Sequence, residues 1–567
     1  MATDRIRTDV LILGGGLAGL MAAIKASEAG VSVVVVEKAD ARRSGAGGMG
    51  CDHFRAYVPE YHGANVEPII EAYFLSHVGG GGMKHFDIMP LWLERSPEVV
   101  QLWDSWGIPM KHDGKFIWAG HTFPGYPHIS LKYKGEGQKA VLIREARKRG
   151  AQIINRVMAV DLLTGDEGAI AGAVGIHTRE GQMIEFEAKS VILATGSDSR
   201  LYPSPTPALV FNVMLCPSCT GDGRAMAYRA GAELVNVELR GKHCGPKYMV
   251  RGGQATWVGV LRDPQGRAVG TMVDAPNPEW GDPAMESNKG IFGQLRAIGK
   301  GPIYMDSAGL SDDEYQHMRN WLVQEGNTTI LDYMDAEEID PRENPLEFTT
   351  YEYLGFGGGI YMNANSETTV LGLYTAGDET PSGIGACSGA AVHGMVAGEN
   401  AAHYAKEVSS PSIQKSERAR KTIEINANLV NEMRSREEGA GWLEFNLAVQ
   451  QTLNDYAGNP KSDGLLAQGL KHVQRLRAKA EETLKAKNQH ELVRCIEALN
   501  ILQLGELVFV SSLERKETRG VFVRSDYPLS LPMPRLLAVK QVDGKPVTRW
   551  EEVRRWRTGV HSANEPF

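Results

Sequence analysis

Val10-Leu-Ile-Leu-Gly-Gly-Gly-Leu-Ala-Gly-Leu20 is the stretch that decides the fold, because four apolar residues run directly into a GxGxxG turn. In that turn Gly14 permits a tight bend, and Gly16 lets a pyrophosphate group approach the backbone closely. Gly19 allows the following helix to pack closely against the strand. The pattern therefore predicts a strand, a glycine-rich turn and a helix that together bind a dinucleotide.

The residues after this turn complete a βαβ unit. A helical pattern runs from Leu20 to Ala29, and a second apolar strand runs from Val31 to Val36. Glu37 ends that strand about 20 residues beyond the glycines, where an acidic side chain accepts hydrogen bonds from ribose hydroxyls. This context raises the GxGxxG match from a weak pattern to a specific prediction of a Rossmann-type site.

A second glycine-containing segment favours FAD over NAD as the bound dinucleotide. Gly372-Leu-Tyr-Thr-Ala-Gly-Asp378 precedes another helical pattern, and an NAD domain has no need of it. Asp378 is placed to accept a hydrogen bond from the ribityl chain, and a helix starting near Ser388 to Ala390 directs its positive end toward the flavin pyrimidine. The alternative is a buried turn in which Asp378 is only a helix N-cap.

Length and composition indicate a soluble protein of several domains. A chain of 567 residues exceeds the usual single core of about 250 to 300 residues. Its net charge of −8 argues against nucleic-acid binding, and no run approaches the ~20 apolar residues of a membrane span. Six cysteines are too few for a disulfide framework, and the N-terminal residues lack a signal-peptide pattern, so we expect a cytoplasmic location.

The fold class predicted is α/β, with a Rossmann-type FAD-binding domain, an inserted α+β capping domain and a C-terminal helical domain. Residues 1–235 and 355–408 are predicted to form the FAD-binding domain, and residues 236–354 the capping domain between its two parts. Residues 409–505 carry long charged helical patterns and predict the helical domain. Residues 506–567 are expected to be irregular.

Several motifs occur in an order that resembles one known family. The chain is similar to the flavoproteins of fumarate reductase, succinate dehydrogenase and adenylylsulfate reductase, and its motif sequences are most similar to those of the adenylylsulfate reductase branch. The motifs are Gly14 to Gly19 with Glu37-Lys38, Arg43-Ser44-Gly45-Ala46, Ala194-Thr195-Gly196, Thr220-Gly221-Asp222-Gly223, Gly372 to Asp378, Arg515 to Gly520 and Asp526-Tyr527-Pro528.

The resemblance implies noncovalent FAD and an iron-sulfur partner. Relatives that bind flavin covalently have a histidine where this chain has Gly45. The partner is expected to be a ferredoxin-like subunit that carries all the iron-sulfur clusters, so that the two chains form a hetero-oligomer. The FAD-binding residues predicted are Gly14, Gly16, Leu17, Ala18, Gly19, Glu37, Lys38, Arg43, Ser44, Gly45, Ala46, Ala159, Ala194, Thr195, Gly196, Asp222, Gly377, Asp378, Ser388 and Ala390.

Departures from the family patterns leave the substrate open. His243 matches the histidine of a dicarboxylate motif, but Cys244 follows it where those enzymes have proline. Ile384 stands where adenylylsulfate reductases have histidine. We therefore expect electron transfer between a small anionic substrate and the iron-sulfur partner. The alternatives are the alpha chain of adenylylsulfate reductase, an enzyme like fumarate reductase or succinate dehydrogenase, and an FAD electron relay without its own substrate.

Four residues are candidates for substrate binding or proton transfer. His243, Lys247 and Arg251 share one stretch of the capping domain that the resemblance places above the flavin, and His121 matches a stretch near the dicarboxylate pocket. Surface ion pairs remain the alternative for Lys247 and Arg251, and ordinary packing for the two histidines. No metal site is predicted on this chain, because the lone Cys216-Pro-Ser-Cys219 motif has no second pair and favours structural cysteines.

Overall fold

A computed structural model of the chain describes residues 4–75, 88–122, 125–203, 215–247, 256–269, 275–280, 291–355, 358–381 and 385–553. Within those ranges no helix is long and apolar enough to cross a membrane. The strands are β1 Asp4–Leu13, β2 Val33–Glu37, β3 His53–Arg55, β4 Ile117–Trp118, β5 Ser130–Lys132, β6 Gln152–Asn155, β7 Val157–Thr164, β8 Ile170–His177, β9 Met183–Leu193, β10 Leu234–Val235, β11 Arg240–Pro246, β12 Val260–Arg262, β13 Ile303–Asp306, β14 Leu346–Gly355, β15 Gly359–Ile360, β16 Leu373–Thr375, β17 Arg535–Val542 and β18 Lys545–Glu552.

The helices are α1 Leu17–Glu28, α2 Pro59–His62, α3 Glu67–Leu75, α4 Ile88–Trp106, α5 Gln138–Lys148, α6 Asp222–Arg229, α7 Ile291–Ala297, α8 Asp312–Gln324, α9 Thr328–Ala336, α10 Ala386–Glu407, α11 Glu417–Ser435, α12 Trp442–Ala457, α13 Asp463–Thr483 and α14 Gln489–Glu514.

A seven-stranded sheet in the order β6-β2-β1-β9-β8-β7, with β16 beside β9, forms the body of the FAD-binding part. Strands β6, β2, β1, β9 and β16 are parallel, whereas β7 and β8 add an antiparallel flank. The Val33–Glu37 strand is buried throughout, as expected of a central parallel strand covered on both faces. The predicted α/β fold class is confirmed.

Helix α10 packs on α1 at close range because glycines line the contact. A Cβ atom added at Gly394 would lie 2.2 Å from the carbonyl oxygen of Ala18, and one added at Gly398 would lie 2.4 Å from that of Ala22. Both contacts are closer than van der Waals distance allows. The contact therefore brings the start of α10 next to the glycine-rich turn that precedes α1.

Residues 240–355 contain a second four-stranded sheet, β11-β14-β13-β12, covered by helices α7, α8 and α9. Its core includes Trp257, Met305 and Met318, all fully buried. A small sheet, β3-β5-β4, lies between this unit and α10. The end of α8 reaches this small sheet, since Glu325 accepts the backbone N–H of Asp52 at 3.0 Å.

Helices α11 to α14 pack on the antiparallel flank of the main sheet and share its core. The expectation of an irregular segment over 506–567 is wrong for much of that range, because α14 continues to Glu514 and β17 and β18 form a hairpin. The hairpin joins β10 and β15 in a four-stranded sheet. Its two-residue turn is Asp543-Gly544, both with positive φ, which is a common hairpin sequence that the charged and proline-containing surroundings obscured.

Candidate active site

The glycine-rich turn after β1 has no room for side chains. Gly14 has φ +108°, and a Cβ atom there would lie 2.2 Å from the carbonyl oxygen of Ala194. A Cβ atom at Gly19 would lie 1.9 Å from the carbonyl oxygen of Gly14. Helix α1 begins directly after Gly16, so its unpaired N–H groups face the space that the glycines leave open. This geometry fits the pyrophosphate of a dinucleotide.

Glu37 holds the turn from the end of β2. Its carboxylate accepts the backbone N–H of Gly15 at 2.8 Å and that of Ala39 at 2.7 Å. Lys139 of α5 donates to the carbonyl oxygen of Gly15 and is almost fully buried. Burial lowers the pKa of Lys139 to about 8, against the opposing charge of Glu37. Lys139 could not be predicted from the sequence, because nothing in its helical pattern separates it from a surface lysine.

Three further predicted segments meet at the same carboxyl edge of the sheet. Gly45 lies against the turn, because a Cβ atom there would come within 3.8 Å of the Gly16 Cα atom. Gly377, with φ +80°, approaches Ala18 in the same way, at 3.0 Å between Cβ positions. Gly196, also with positive φ, follows the end of β9. Segments separated by more than 300 residues in the chain therefore surround one space.

The other predicted FAD-binding residues occupy varied positions. Ser388 in the first turn of α10 accepts the Trp92 indole N–H at 2.8 Å and donates to the carbonyl oxygen of Gly385. Asp378 is exposed. Ala159 lies in β7, opposite Gly175 of β8.

Lys38 and Asp222 belong to a buried ion cluster. The Lys38 ammonium lies 2.8 Å from Asp222 and 2.8 Å from Glu497 of α14, and Glu497 also pairs with Arg200 at 2.7 Å. Burial lowers the pKa of Lys38, but the two carboxylates more than offset this and raise it overall. Both side chains thus join the FAD-binding part to the helical domain, and a direct contact with FAD remains a prediction.

Glu379, the residue after Asp378, is a buried acid that is hydrogen-bonded by Thr195. Its carboxyl accepts the backbone N–H and the hydroxyl of Thr195, and the Thr195 hydroxyl in turn accepts the N–H of Gly223 at 2.9 Å. Burial raises the pKa of Glu379 to about 8, which hydrogen bonding from Thr195 only partly opposes. Glu379 is therefore protonated at neutral pH.

Of the two catalytic candidates whose side chains the structure describes, His121 has the more constrained environment. Its backbone has φ +53°, which is unusual for a residue other than glycine, and its ring stacks on His53 with centroids 3.6 Å apart. The Nε2 atom lies 3.3 Å from Asp52, which also pairs with the buried Lys132. Strained backbone of this kind is concentrated at functional sites.

The other three candidates are in β11 or close to it in sequence. Lys247 forms an ion pair with Glu347 at 2.5 Å, and about a third of its side chain is exposed. His243 lies in β11, but its side chain is outside the part of the chain that the structure describes, and so is Arg251. A site shared by these two residues and His121 therefore stays a prediction.

Cys216 and Cys219 lie between two of the predicted FAD-binding segments, those of Gly45 and Gly196. Cys219 packs on Gly196, with its sulfur 2.9 Å from where a Cβ atom of that glycine would be. Hydrogen bonding from Cys219, together with the N–H groups of Ser218 and Gly45, lowers the pKa of Cys216 to about 6, although burial opposes this. Both cysteines are free thiols.

Two family models match this chain. A model of an FAD binding domain matches residues 9–399, and a model of the fumarate reductase flavoprotein C-terminal region matches residues 446–543. Among curated relatives, L-aspartate oxidase of Streptomyces coelicolor is 26% identical over 92% of this chain and 89% of its own length. A fumarate reductase (CoM/CoB) subunit of Methanothermobacter marburgensis is 24% identical over 94% of this chain and 96% of its own length.

Solved structures share the whole fold. Adenylylsulfate reductase from Archaeoglobus fulgidus superimposes with a TM-score of 0.84 at 23% identity, covering 98% of this chain and 97% of the other. A variant of E. coli quinol fumarate reductase superimposes with a TM-score of 0.81 at 19% identity, covering 97% of each chain. The predicted resemblance is confirmed, and so is the prediction of an FAD-dependent enzyme. This chain belongs to the FAD binding domain family, its C-terminal region matches that of fumarate reductase flavoproteins, and it is an FAD-dependent oxidoreductase.

Proposed function

We propose that this chain is the flavoprotein of a two-component reductase or dehydrogenase. In this proposal it holds FAD noncovalently, exchanges electrons with a small anionic substrate, and exchanges them in turn with an iron-sulfur partner. The observation that carries the proposal is the meeting of the Gly14 turn, Gly45, Gly196 and Gly377 around one space. Two relatives, from Methanothermobacter marburgensis and Haemophilus influenzae, are named as subunits of fumarate reductases, which supports a multisubunit enzyme.

Different residues of the chain are proposed to bind different parts of FAD. The N–H groups before α1 bind the pyrophosphate, Glu37 accepts from ribose hydroxyls, and Lys139 adds positive charge near Gly15. Glycine at position 45 leaves no nucleophile for covalent attachment there. Bound FAD supplies hydride transfer and its separation into single-electron steps.

The substrate is proposed to bind beside the small β3-β5-β4 sheet. His121, packed between Asp52 and His53, is the proposed group for binding the substrate or relaying a proton. Lys247 is the candidate for binding an anionic group of the substrate, although its ammonium forms an ion pair with Glu347 in this structure. An anion that binds Lys247 must compete with this carboxylate.

Purified chain with its native partner tests the proposal. We expect a yellow complex whose flavin is released by acid, with iron and acid-labile sulfide only when the partner is present. A panel of fumarate, succinate, L-aspartate and adenylylsulfate, followed by flavin bleaching or reoxidation, assigns the substrate class. Iron and sulfide in the isolated chain, or flavin that stays with the denatured polypeptide, would contradict the proposal.

Variants separate a substrate site from an electron relay. His121→Gln and Lys247→Ala are expected to lower substrate turnover at least tenfold while FAD content stays unchanged, because the described partners of both side chains lie outside the FAD-binding segments. Glu347→Gln is the matched control for Lys247, and it is expected to tighten binding of an anion because it frees the ammonium. Unchanged turnover in all three variants would favour the relay without its own substrate.

Adenylylsulfate reduction is the second candidate function, because the Arg43-Ser44-Gly45-Ala46 sequence is similar to that of the adenylylsulfate reductase branch of the family. Ile384 replaces the histidine of that family, so we expect slow or absent turnover of adenylylsulfate. Rapid reduction of adenylylsulfate by the purified complex would reverse this preference.

A further inference from the structure

Four side chains that could ligate a metal meet beside the predicted substrate site. They are Cys51, Asp52, His53 and Glu325, and one ligand atom from each lies within 4.8 Å of the others. All four are partly or fully buried, with Asp52 completely inaccessible. Three come from the segment that follows the Gly45 loop, whereas Glu325 comes from the end of α8. The cluster therefore joins the body of the protein to residues 240–355.

We propose that this cluster is a binding site for a single divalent, borderline-soft metal ion, with Zn²⁺ preferred. The donor set is one thiolate, one imidazole and two carboxylates; each of these donor types binds Zn²⁺, and the set also accepts Fe²⁺ or Co²⁺. The site goes beyond the proposed flavin chemistry and does not depend on it.

The distances between donor atoms match a tetrahedral metal site. The Cys51 sulfur lies 3.6 Å from His53 Nδ1 and 3.4 Å from Glu325 Oε1, and those nitrogen and oxygen atoms are 3.4 Å apart. Zn–S bonds of about 2.3 Å and Zn–N or Zn–O bonds of about 2.05 Å, at tetrahedral angles, place sulfur about 3.6 Å from nitrogen or oxygen, and nitrogen about 3.4 Å from oxygen. The three separations thus agree within about 0.2 Å.

Asp52 supplies the fourth donor. Its Oδ1 atom is 2.8 Å from His53 Nδ1, so a small displacement of the carboxylate places it at a tetrahedral corner. Its other oxygen accepts from Lys132, and His121 lies 3.3 Å away. Partners of this kind orient a metal ligand and are common around metal sites.

The charges also balance when a divalent ion is present. Thiolate at Cys51 and carboxylates at Asp52 and Glu325 carry three negative charges, and the ion with Lys132 supplies three positive ones. Burying unbalanced charge is costly, so neutrality favours occupancy of this interior site. The competing explanation is a metal-free hydrogen-bonded cluster, which has the same residues but needs no ion.

Metal analysis of full-length protein, expressed with zinc in the medium and purified with FAD, tests the proposal. We expect about one Zn²⁺ per chain, removable by a chelator. After Co²⁺ replacement we expect ligand-field absorption at longer wavelengths than the flavin bands, with the high intensity of a tetrahedral site. Cys51→Ser, His53→Gln and Glu325→Gln are each expected to weaken metal binding at least tenfold.

Cys495→Ser is the matched control, because this buried thiol donates to the Lys485 carbonyl in the helical domain and lies outside the cluster. It is expected to retain full metal content. FAD content, measured on the same samples, separates loss of metal from loss of fold or flavin. The proposal is overturned if wild-type protein with full FAD binds neither Zn²⁺ nor Co²⁺ at micromolar concentration, or if Cys51→Ser and Glu325→Gln leave the bound metal unchanged.

Discussion

Replacing Glu379 by glutamine is expected to make the protein progressively more stable than wild type as the pH rises from 5 to 8. The pKa of the folded carboxyl is about 8 against an ordinary value of 4.5, because the side chain is buried beside Thr195. Between these values the folded state retains a proton that the unfolded state releases, so wild-type stability falls with rising pH. Glutamine has the same shape and does not titrate, which removes this dependence.

The magnitude follows from the difference between the two pKa values. At pH 7 the penalty in the wild type is roughly 3 kcal/mol, and at pH 5 it is below about 1 kcal/mol. The free energy of unfolding of Glu379→Gln relative to wild type is therefore expected to rise by about 2 kcal/mol over that interval, on top of a constant offset. Above pH 8 the difference levels off.

Urea unfolding at saturating FAD, followed by tryptophan fluorescence at pH 5, 6, 7 and 8, measures this difference. Glu343→Gln is a suitable control because Glu343 is exposed between α9 and β14, and a surface substitution there is expected to change the free energy of unfolding little. A difference for Glu379→Gln that does not change with pH would refute the reasoning, since it would mean that Glu379 is ionised in the folded protein.

Other predictions concern packing, cofactor binding and a buried ion pair. Gly394→Val is expected to cost about 1–3 kcal/mol of unfolding free energy, because its Cβ atom would overlap the α1 backbone. The control is Gly464→Ala, which places a Cβ atom in open space on α13. Equal urea midpoints for the two variants would contradict the close packing of α10 on α1. Lys139→Met is expected to weaken FAD binding about tenfold, as measured by flavin fluorescence. The affinity of the wild type for FAD is expected to fall as the pH rises past 8. Equal FAD affinity of the variant and the wild type at pH 7 would exclude a role for this charge. Arg240→Met is expected to cost about 3 kcal/mol, because the buried Asp198 loses its bidentate partner at 2.6 and 2.7 Å and keeps only Arg224, at 3.0 Å. Asp198→Asn in the same chain is expected to recover part of the loss in thermal unfolding.

Local sequence patterns predicted the parts of the fold that depend on short-range spacing. The Gly14 and Gly19 positions follow from the turn that they form, and the structure shows why each must be glycine. Glu37 followed from its distance along the βαβ unit. The Asp543-Gly544 hairpin has an equally local pattern, but the charged residues around it favoured a prediction of irregular structure.

Contacts between distant segments were not predictable in the same way. Glu325 lies 274 positions from the Cys51 thiol that it contacts, and no periodicity links them. Lys38 and Asp222 are predicted FAD-binding residues from motif order, and the ion pairs of Lys38 with both Asp222 and Glu497 are not revealed by sequence spacing. Burial of charged groups depends on how domains meet, so it requires the structure.

The flavin content of the purified full-length chain is the measurement that tests the central claim most directly. Acid precipitation, followed by chromatography of the supernatant, is expected to release about one FAD per chain and to leave a colourless polypeptide. FMN or NAD in its place, flavin that remains attached to the precipitate, or protein that fails to bind added FAD would contradict an enzyme built around a noncovalent FAD site.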